Sequence, residues 1–163
     1  MISNKTISNV KGISHAPLYV RLLNPLISGL LRIGFPIGPM ILLTVRGRKT
    51  GQYRTTPVGL FEVNGRRYLV STFGKVNWVY NLRAAREAIL THGFSKKRYE
   101  VVELSPSDAA PIYRGVFAPY LASFFMRPMV RAWYGVTSDT SLNELVNMAL
   151  KHPIFELRES HFA

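Results

Sequence analysis

The chain has 163 residues, the length of one domain, and 47% of them are hydrophobic, enough for a real core and too many for a disordered polymer. It carries 21 Lys+Arg against 9 Asp+Glu, a formal charge of +12 that attracts polyanions: nucleic acid, an anionic membrane surface or an acidic small molecule. Cysteine is absent, which removes disulfides, thiolate nucleophiles and cysteine-ligated zinc, and suits a reducing cytoplasm.

The opening MISNKTISNVKGISH has no apolar signal core, and residues 1–14 read as a polar tail. An amphipathic helix is expected over 16–33, with Leu18, Leu22, Leu26, Leu30 and Ile33 near one face. Residues 22–45 match a bilayer in length, but Pro25, Gly29, Gly34, Pro36, Gly38 and Pro39 break them, which argues against a spanning helix. The 16–33 helix has no acid. Two readings stay open: its apolar face covers a barrel core, or it rests on an anionic membrane at the inner face.

Strands are expected at 40–45, 58–63 and 67–72, the last two joined by the hairpin signal Asn64-Gly65. A helix follows over 77–86, then strands at 88–93 and 98–104 around the turn FSKK. SPSD at 105–108 starts a helix, with Ser105 as cap and Pro106 at the first position. A helical, aromatic region runs to Tyr134, a short helix capped by Thr140 or Ser141 follows, and HPIFELRE is a last strand. Hairpin-linked strands with inserted helices predict an α+β, mainly β chain: a small antiparallel split β-barrel with flanking helices, in one domain over 1–163.

The motifs exclude several chemistries. His15, His92, His152 and His161 are scattered without metal-site spacing, so no metal is expected, and surface or satisfied histidines are the reading. There is no G-x-S-x-G elbow, dinucleotide fingerprint or Walker loop, and no nucleic-acid-binding signature. What stands out is VRGRKTGQYRTTP at 45–57. It gathers Arg46, Arg48, Lys49 and Arg54 around Gly47 and Gly51, beside Thr50, Thr55 and Thr56, and the first acid in the chain is Glu62. The glycines allow a tight turn that presents backbone N–H groups as an anion nest, and Arg48 and Arg54 can fork onto phosphate oxygens. A solvated basic hairpin loop is the equal alternative on chemistry alone.

LLTVRGRKTGQYRTTPV, then RRYLVSTFG, then NWVYNLRA together resemble the deazaflavin (coenzyme F420)-dependent nitroreductase family of split-barrel oxidoreductases, over about residues 25–104. The resemblance implies that Arg46, Arg48, Lys49, Thr50, Gly51 and Arg54 hold the phosphate and acidic tail of coenzyme F420, an 8-hydroxy-5-deazaflavin. It implies that Thr55, Thr56 and Pro57 lie along the ribityl chain. Ser71, Thr72, Phe73 and Gly74 would meet the ring, and Trp78 and Asn81 would close the site. The implied activity is hydride transfer to a small apolar, electron-poor acceptor such as a quinone, enone or nitro compound. Ser71, Tyr120 and Tyr134 are the candidate catalytic residues, as proton donors or substrate-positioning groups. TFGKVN is shorter than the corresponding family stretch, and the tyrosine spacing near the C-terminus differs from the nitroreductase branch. FMN in the same barrel, a non-catalytic lipid or fatty-acid carrier, and a cofactor-free peripheral membrane protein are the alternatives.

Overall fold

The computed structural model describes residues 16–159, so the expected tail at 1–14 lies outside the described residues, as do His15 and His161. Eleven elements follow in order: α1 (Leu18–Arg32), β1 (Met40–Arg46), β2 (Tyr53–Val63), β3 (Arg66–Val70), α2 (Asn77–Ala85), β4 (Glu87–His92), β5 (Ser95–Glu103), α3 (Pro106–Ala122), α4 (Arg127–Tyr134), α5 (Leu142–Lys151) and β6 (Ile154–Glu159). The strands close into a barrel in the order β1-β2-β3-β6-β5-β4, and every neighbouring pair is antiparallel. The α+β barrel with flanking helices is therefore the observed architecture.

Period-two alternation builds its interior. Ile41, Leu43 and Val45 of β1 point inward with Val58, Leu69, Leu90, Tyr99, Phe155 and Leu157. A second core lies outside the barrel wall, where Tyr68, Val70 and Ile154 meet Tyr113, Phe117, Val130, Leu145 and Met148 of α3, α4 and α5. β6 is buried on both faces because it separates these cores: Phe155 belongs to the first and Ile154 to the second. Its Glu156 is also buried, and its charge is matched by Arg66 at 3.1 Å and Arg158 at 3.2 Å.

Local chemistry sets the element ends. Asn64 and Gly65 both have positive φ, 52° and 73°, as a two-residue primed hairpin turn requires. Ser105 caps α3 through the Asp108 N–H. Ser141, not Thr140, caps α5, in a capping box closed by Glu144.

Three expectations are corrected. β2 begins at Tyr53, so residues 54–57 lie on a strand and the glycine turn is shorter than expected. The β4–β5 turn is Gly93-Phe94, since His92 already pairs with Ser95, and not FSKK. Residues 123–126 divide the expected helical region into α3 and α4.

α1 is the largest departure. Leu31 is its buried residue, whereas Leu18, Leu22, Leu26 and Ile33 are exposed. Four of the five residues of the expected stripe look away from the barrel and Leu30 is half-buried, so α1 packs on the barrel through Leu31 and not through that stripe. Among the described residues no helix is long and apolar enough to cross a membrane.

Candidate functional site

The basic motif is the turn of the β1–β2 hairpin and the strand after it. The Gly47 N–H donates to the Gln52 carbonyl at 2.8 Å, and the Gly51 N–H donates to the Gly47 carbonyl at 2.8 Å. Gly51 has φ +69°, a conformation open to glycine. At Gly47 a Cβ would come within 3.0 Å of the Gln52 oxygen. The two glycines therefore shape the turn, and their N–H groups are engaged inside it. The expected nest loses both donors and a third, because the Arg48 N–H donates to Asn81 Oδ1 at 3.2 Å. Charge on side chains, more than backbone N–H, is what this turn presents.

Arg48 is anchored from α2. Its Nη1 donates to Asn81 Oδ1 at 2.9 Å and to the Asn77 carbonyl at 3.4 Å, and its guanidinium lies 5.1 Å from the centre of the Tyr80 ring. Arg46 turns its Nε to the Gly51 carbonyl at 3.3 Å. Lys49, Thr50 and Arg54 are exposed. The ion pairs among the described residues involve Arg66, Arg83, Arg98 and Arg158, so none of the four loop cations meets an acid there.

β2 gives this motif an open flank. It pairs with β1 over Tyr53 to Gly59, but with β3 only from Gly59 to Val63. Residues 53–58 thus have a strand neighbour on one side, and Pro57, which lacks an N–H, sits in that one-sided stretch. Arg54, Thr56 and Val58 oppose Val45, Leu43 and Ile41 and share the barrel-interior face. Thr55 and Pro57 oppose Thr44 and Leu42 on the other face, where Thr55 Oγ1 lies 2.8 Å from Thr44 Oγ1. The strand separates Thr56 from its two neighbours, which the linear motif does not reveal.

The register of Val70 opposite Gly59 sends the chain leaving β3 toward the open flank of β2. Here Ser71 is fully buried and its hydroxyl donates to the Gly74 carbonyl, closing a turn in which Gly74 has φ 74°. The Ser71 hydroxyl faces inward, away from any solvent-side reactant. Thr72 Oγ1 and the Tyr134 hydroxyl are 2.7 Å apart, so this turn is tied to the end of α4. Burial pushes the Tyr134 phenol up to about 12, so it is neutral at ordinary pH. Phe73 meets Trp133 with ring centres 6.0 Å apart.

His152 joins the same cluster through contacts with segments distant in sequence. Its Nδ1 donates to the Ser71 carbonyl at 3.0 Å, its ring lies 5.1 Å from that of Tyr134, and the Tyr113 hydroxyl donates to its carbonyl. Burial lowers the imidazole pKa below its usual value, and the Ser71 carbonyl holds a proton on Nδ1. The available signal was its place just before Pro153 and the buried β6, where a polar ring must find a partner.

Other candidates sit apart. Tyr120, on α3, packs edge-on against Phe61 at 5.8 Å, and burial raises its phenol. Trp78 packs on Phe155 at 5.9 Å against the barrel core, while Asn81, one turn on, faces the loop. In the aromatic region up to Tyr134, Tyr113 and Phe117 are in the second core, and Phe124 and Phe125 are exposed. A cavity of about 360 Å³ lies among Arg114, Phe117, Leu121, Arg127, Val136 and Thr140. It touches none of the residues expected to hold a cofactor.

The fold is a closed antiparallel barrel whose β1–β2 hairpin turn is cationic and borders a stretch of β2 with a strand neighbour on one side. This chain belongs to the F420H(2)-dependent quinone reductase family, whose model matches residues 28–128. Solved structures are similar to the chain at low identity. One is an F420-H2 dependent reductase, FDR-A, at 18% identity and TM-score 0.48, covering 74% of this chain and 94% of that one. Another is described as a domain-swapped dimer, at 19% identity and TM-score 0.52, covering 86% and 97%. A third is Atu2129 of Agrobacterium tumefaciens, of unknown function, at 13% identity and TM-score 0.52, covering 88% and 55%. No curated protein matches the chain.

Proposed function

We propose that this protein is a cytoplasmic oxidoreductase that uses reduced coenzyme F420 against a small, apolar, electron-poor acceptor. Family membership supports the reductase class and favours the deazaflavin over FMN. The observation that carries the cofactor is the set Arg46, Arg48, Lys49 and Arg54, free of acidic partners among the described residues and bordering the open flank of β2. One terminal phosphate does not need so many cations, whereas a phosphodiester with an acidic tail does.

In this reading Lys49, Thr50 and Arg54 bind the acidic portion, Gly51 shapes the turn that carries them, and Arg48 lends charge from a position fixed by Asn81. Thr55, Thr56 and Pro57 line the path along β2, Thr56 from the barrel face and the other two from its reverse. Thr72, Phe73 and Gly74 border the ring, Ser71 shapes their turn, and Trp78 supports the wall through Phe155. When bound, reduced deazaflavin supplies the hydride, and a quinone, enone or nitro compound is the acceptor class. Tyr134, neutral and fixed by Thr72, is the better-placed proton donor, and Tyr120 is the alternative.

A lipid-carrier reading would draw on the 360 Å³ cavity. Its two guanidiniums are already held by carbonyls, Arg114 by Thr140 and Arg127 by Leu121, so the cofactor reading is preferred. The test is a fluorescence titration with F420 and with FMN, followed by turnover of reduced F420 with a soluble quinone. Tighter binding of F420 supports the proposal; equal or tighter FMN binding, or no quinone-dependent oxidation, defeats it.

A further inference from the structure

We infer that α1 and the tip of the β4–β5 hairpin form one docking face for an anionic lipid bilayer. This is independent of the cofactor reading, because the face excludes every residue assigned to the cofactor. An amphipathic helix on a barrel should bury its apolar stripe. α1 does the reverse. Leu31 is buried and Val20 and Ile27, on the same face, are half-buried, whereas Leu18, Leu22, Leu26 and Ile33 lie on the opposite, exposed side. Leu22 is 70% exposed in the middle of that stripe.

The hairpin tip supplies a second apolar element. Phe94 is 97% exposed, where a turn residue of ordinary chemistry would be polar. The tip adjoins the end of α1: the Gly93 N–H reaches the Leu31 carbonyl at 3.3 Å, and a Cβ on Gly93 would meet the Gly34 Cα at 3.3 Å. Phe35 and Phe94 each follow one of these touching glycines, and both are exposed. The helix stripe and the two phenylalanines are therefore neighbours on one patch.

Charge selects the occupant. Arg21 and Arg32 flank the stripe, and Lys96 and Lys97 follow Phe94. No acid occurs in residues 16–61 or 88–99. A second copy docked face to face would set these cations against their equals in a chain of formal charge +12. Anionic headgroups supply the opposite charge, and the leucines and Phe94 insert beneath them while the long basic side chains reach outward.

The experiment is co-sedimentation of the full chain with vesicles of phosphatidylcholine alone or with about 30% phosphatidylglycerol. The protein should pellet with the anionic vesicles, weakly or not at all with the neutral ones, and less as salt rises. Phe94→Ser and Leu22→Glu should each weaken binding by about tenfold or more, with thermal melts unchanged, since both side chains are exposed. If Leu22→Glu also lowers the melting temperature, Phe94→Ser decides. The inference fails if the wild-type protein stays in the supernatant at low salt, or if Phe94→Ser pellets as wild type does. It also fails if sedimentation velocity shows a dimer, dissociated by Leu22→Glu, that ignores vesicles.

Discussion

Asn81 holds Arg48 twice: its Oδ1 accepts from the Arg48 backbone N–H at 3.2 Å and from its guanidinium at 2.9 Å. One amide oxygen on α2 thus fixes both the backbone and the charge of a hairpin turn distant in sequence. Asn81→Ala leaves the Arg48 N–H and guanidinium without this acceptor. We expect F420 affinity to fall by about tenfold, the scale of one hydrogen bond to a charged group. The melting temperature should move little, because both groups of Arg48 can turn to water. Full affinity and full turnover in a folded Asn81→Ala protein would mean that the contact only trims the loop.

Lys49 and Arg54 carry exposed charge, and exposed charges seldom hold a fold together. Lys49→Ala and Arg54→Ala should therefore keep the wild-type circular dichroism and melting curve while each weakens cofactor binding several-fold. Affinity should also decline with ionic strength, and the decline should be shallower in either variant. An unchanged salt slope would remove these side chains from the anion site.

Trp78 separates packing from binding. Its ring lies on Phe155 at the edge of the barrel core, so Trp78→Ala should cost about 3 kcal/mol of stability by opening a cavity. Chemical denaturation measures the loss. A variant with wild-type stability would place the ring outside the core, against the contact seen here.

The hairpin at Asn64-Gly65 was legible because one dipeptide encodes its dihedrals. β1 was legible as a short apolar run, and the fold buries it, with Ile41, Leu43 and Val45 toward the barrel interior. The first half of β2 was not: Thr55, Thr56 and Pro57 read as a loop, yet Pro57 is accepted where the strand has one neighbour. Phe94 was read in the turn, where it lies, but Ser95, Lys96 and Lys97 were read there too because polar residues beside a strand read as loop, and the two-residue turn at Gly93-Phe94 is set by pairing across the sheet. The basic loop was legible as a charge cluster. Its anchoring by Asn81 and the cluster around His152 were not, since both join distant segments. The orientation of α1 was equally hidden: a stripe shows amphipathicity, and only the packed fold shows which side the stripe faces.

Tyr134 makes a sign-specific prediction at high pH. Its phenol is raised by burial to about 12 from the ordinary tyrosine value of about 10, and that of buried Tyr113 is raised as well. Between these values the unfolded chain loses the Tyr134 proton while the folded chain keeps it. The contribution is fully present below pH 10 and is lost as pH rises toward 12, at about 1.4 kcal/mol per pH unit for one group. Tyr134→Phe should remove its share of this slope in urea melts, leaving that of Tyr113. It should also loosen the turn at Thr72 and lower turnover more than cofactor affinity. A variant with the wild-type slope would show that Tyr134 is solvated.

His152 gives the opposite window. Burial lowers its pKa, so the unfolded chain takes up this proton as pH falls through about 6.5, while the folded chain still resists it. The folded state should therefore lose stability from neutral pH downward. His152→Gln removes the titration and retains an N–H donor within reach of the Ser71 carbonyl, so its denaturant midpoint should be flatter between about pH 7 and 5. His152→Ala lacks that donor. It should release the 71–74 turn and weaken F420 binding at every pH, with partial rescue in His152→Gln. The pair of variants separates two roles: a flatter profile in both with affinity lost only in alanine assigns the imidazole to holding the turn. If both bind F420 as tightly as wild type, the Nδ1 contact to Ser71 has no bearing on the site, and the 71–74 turn is held by Ser71 and Tyr134 alone.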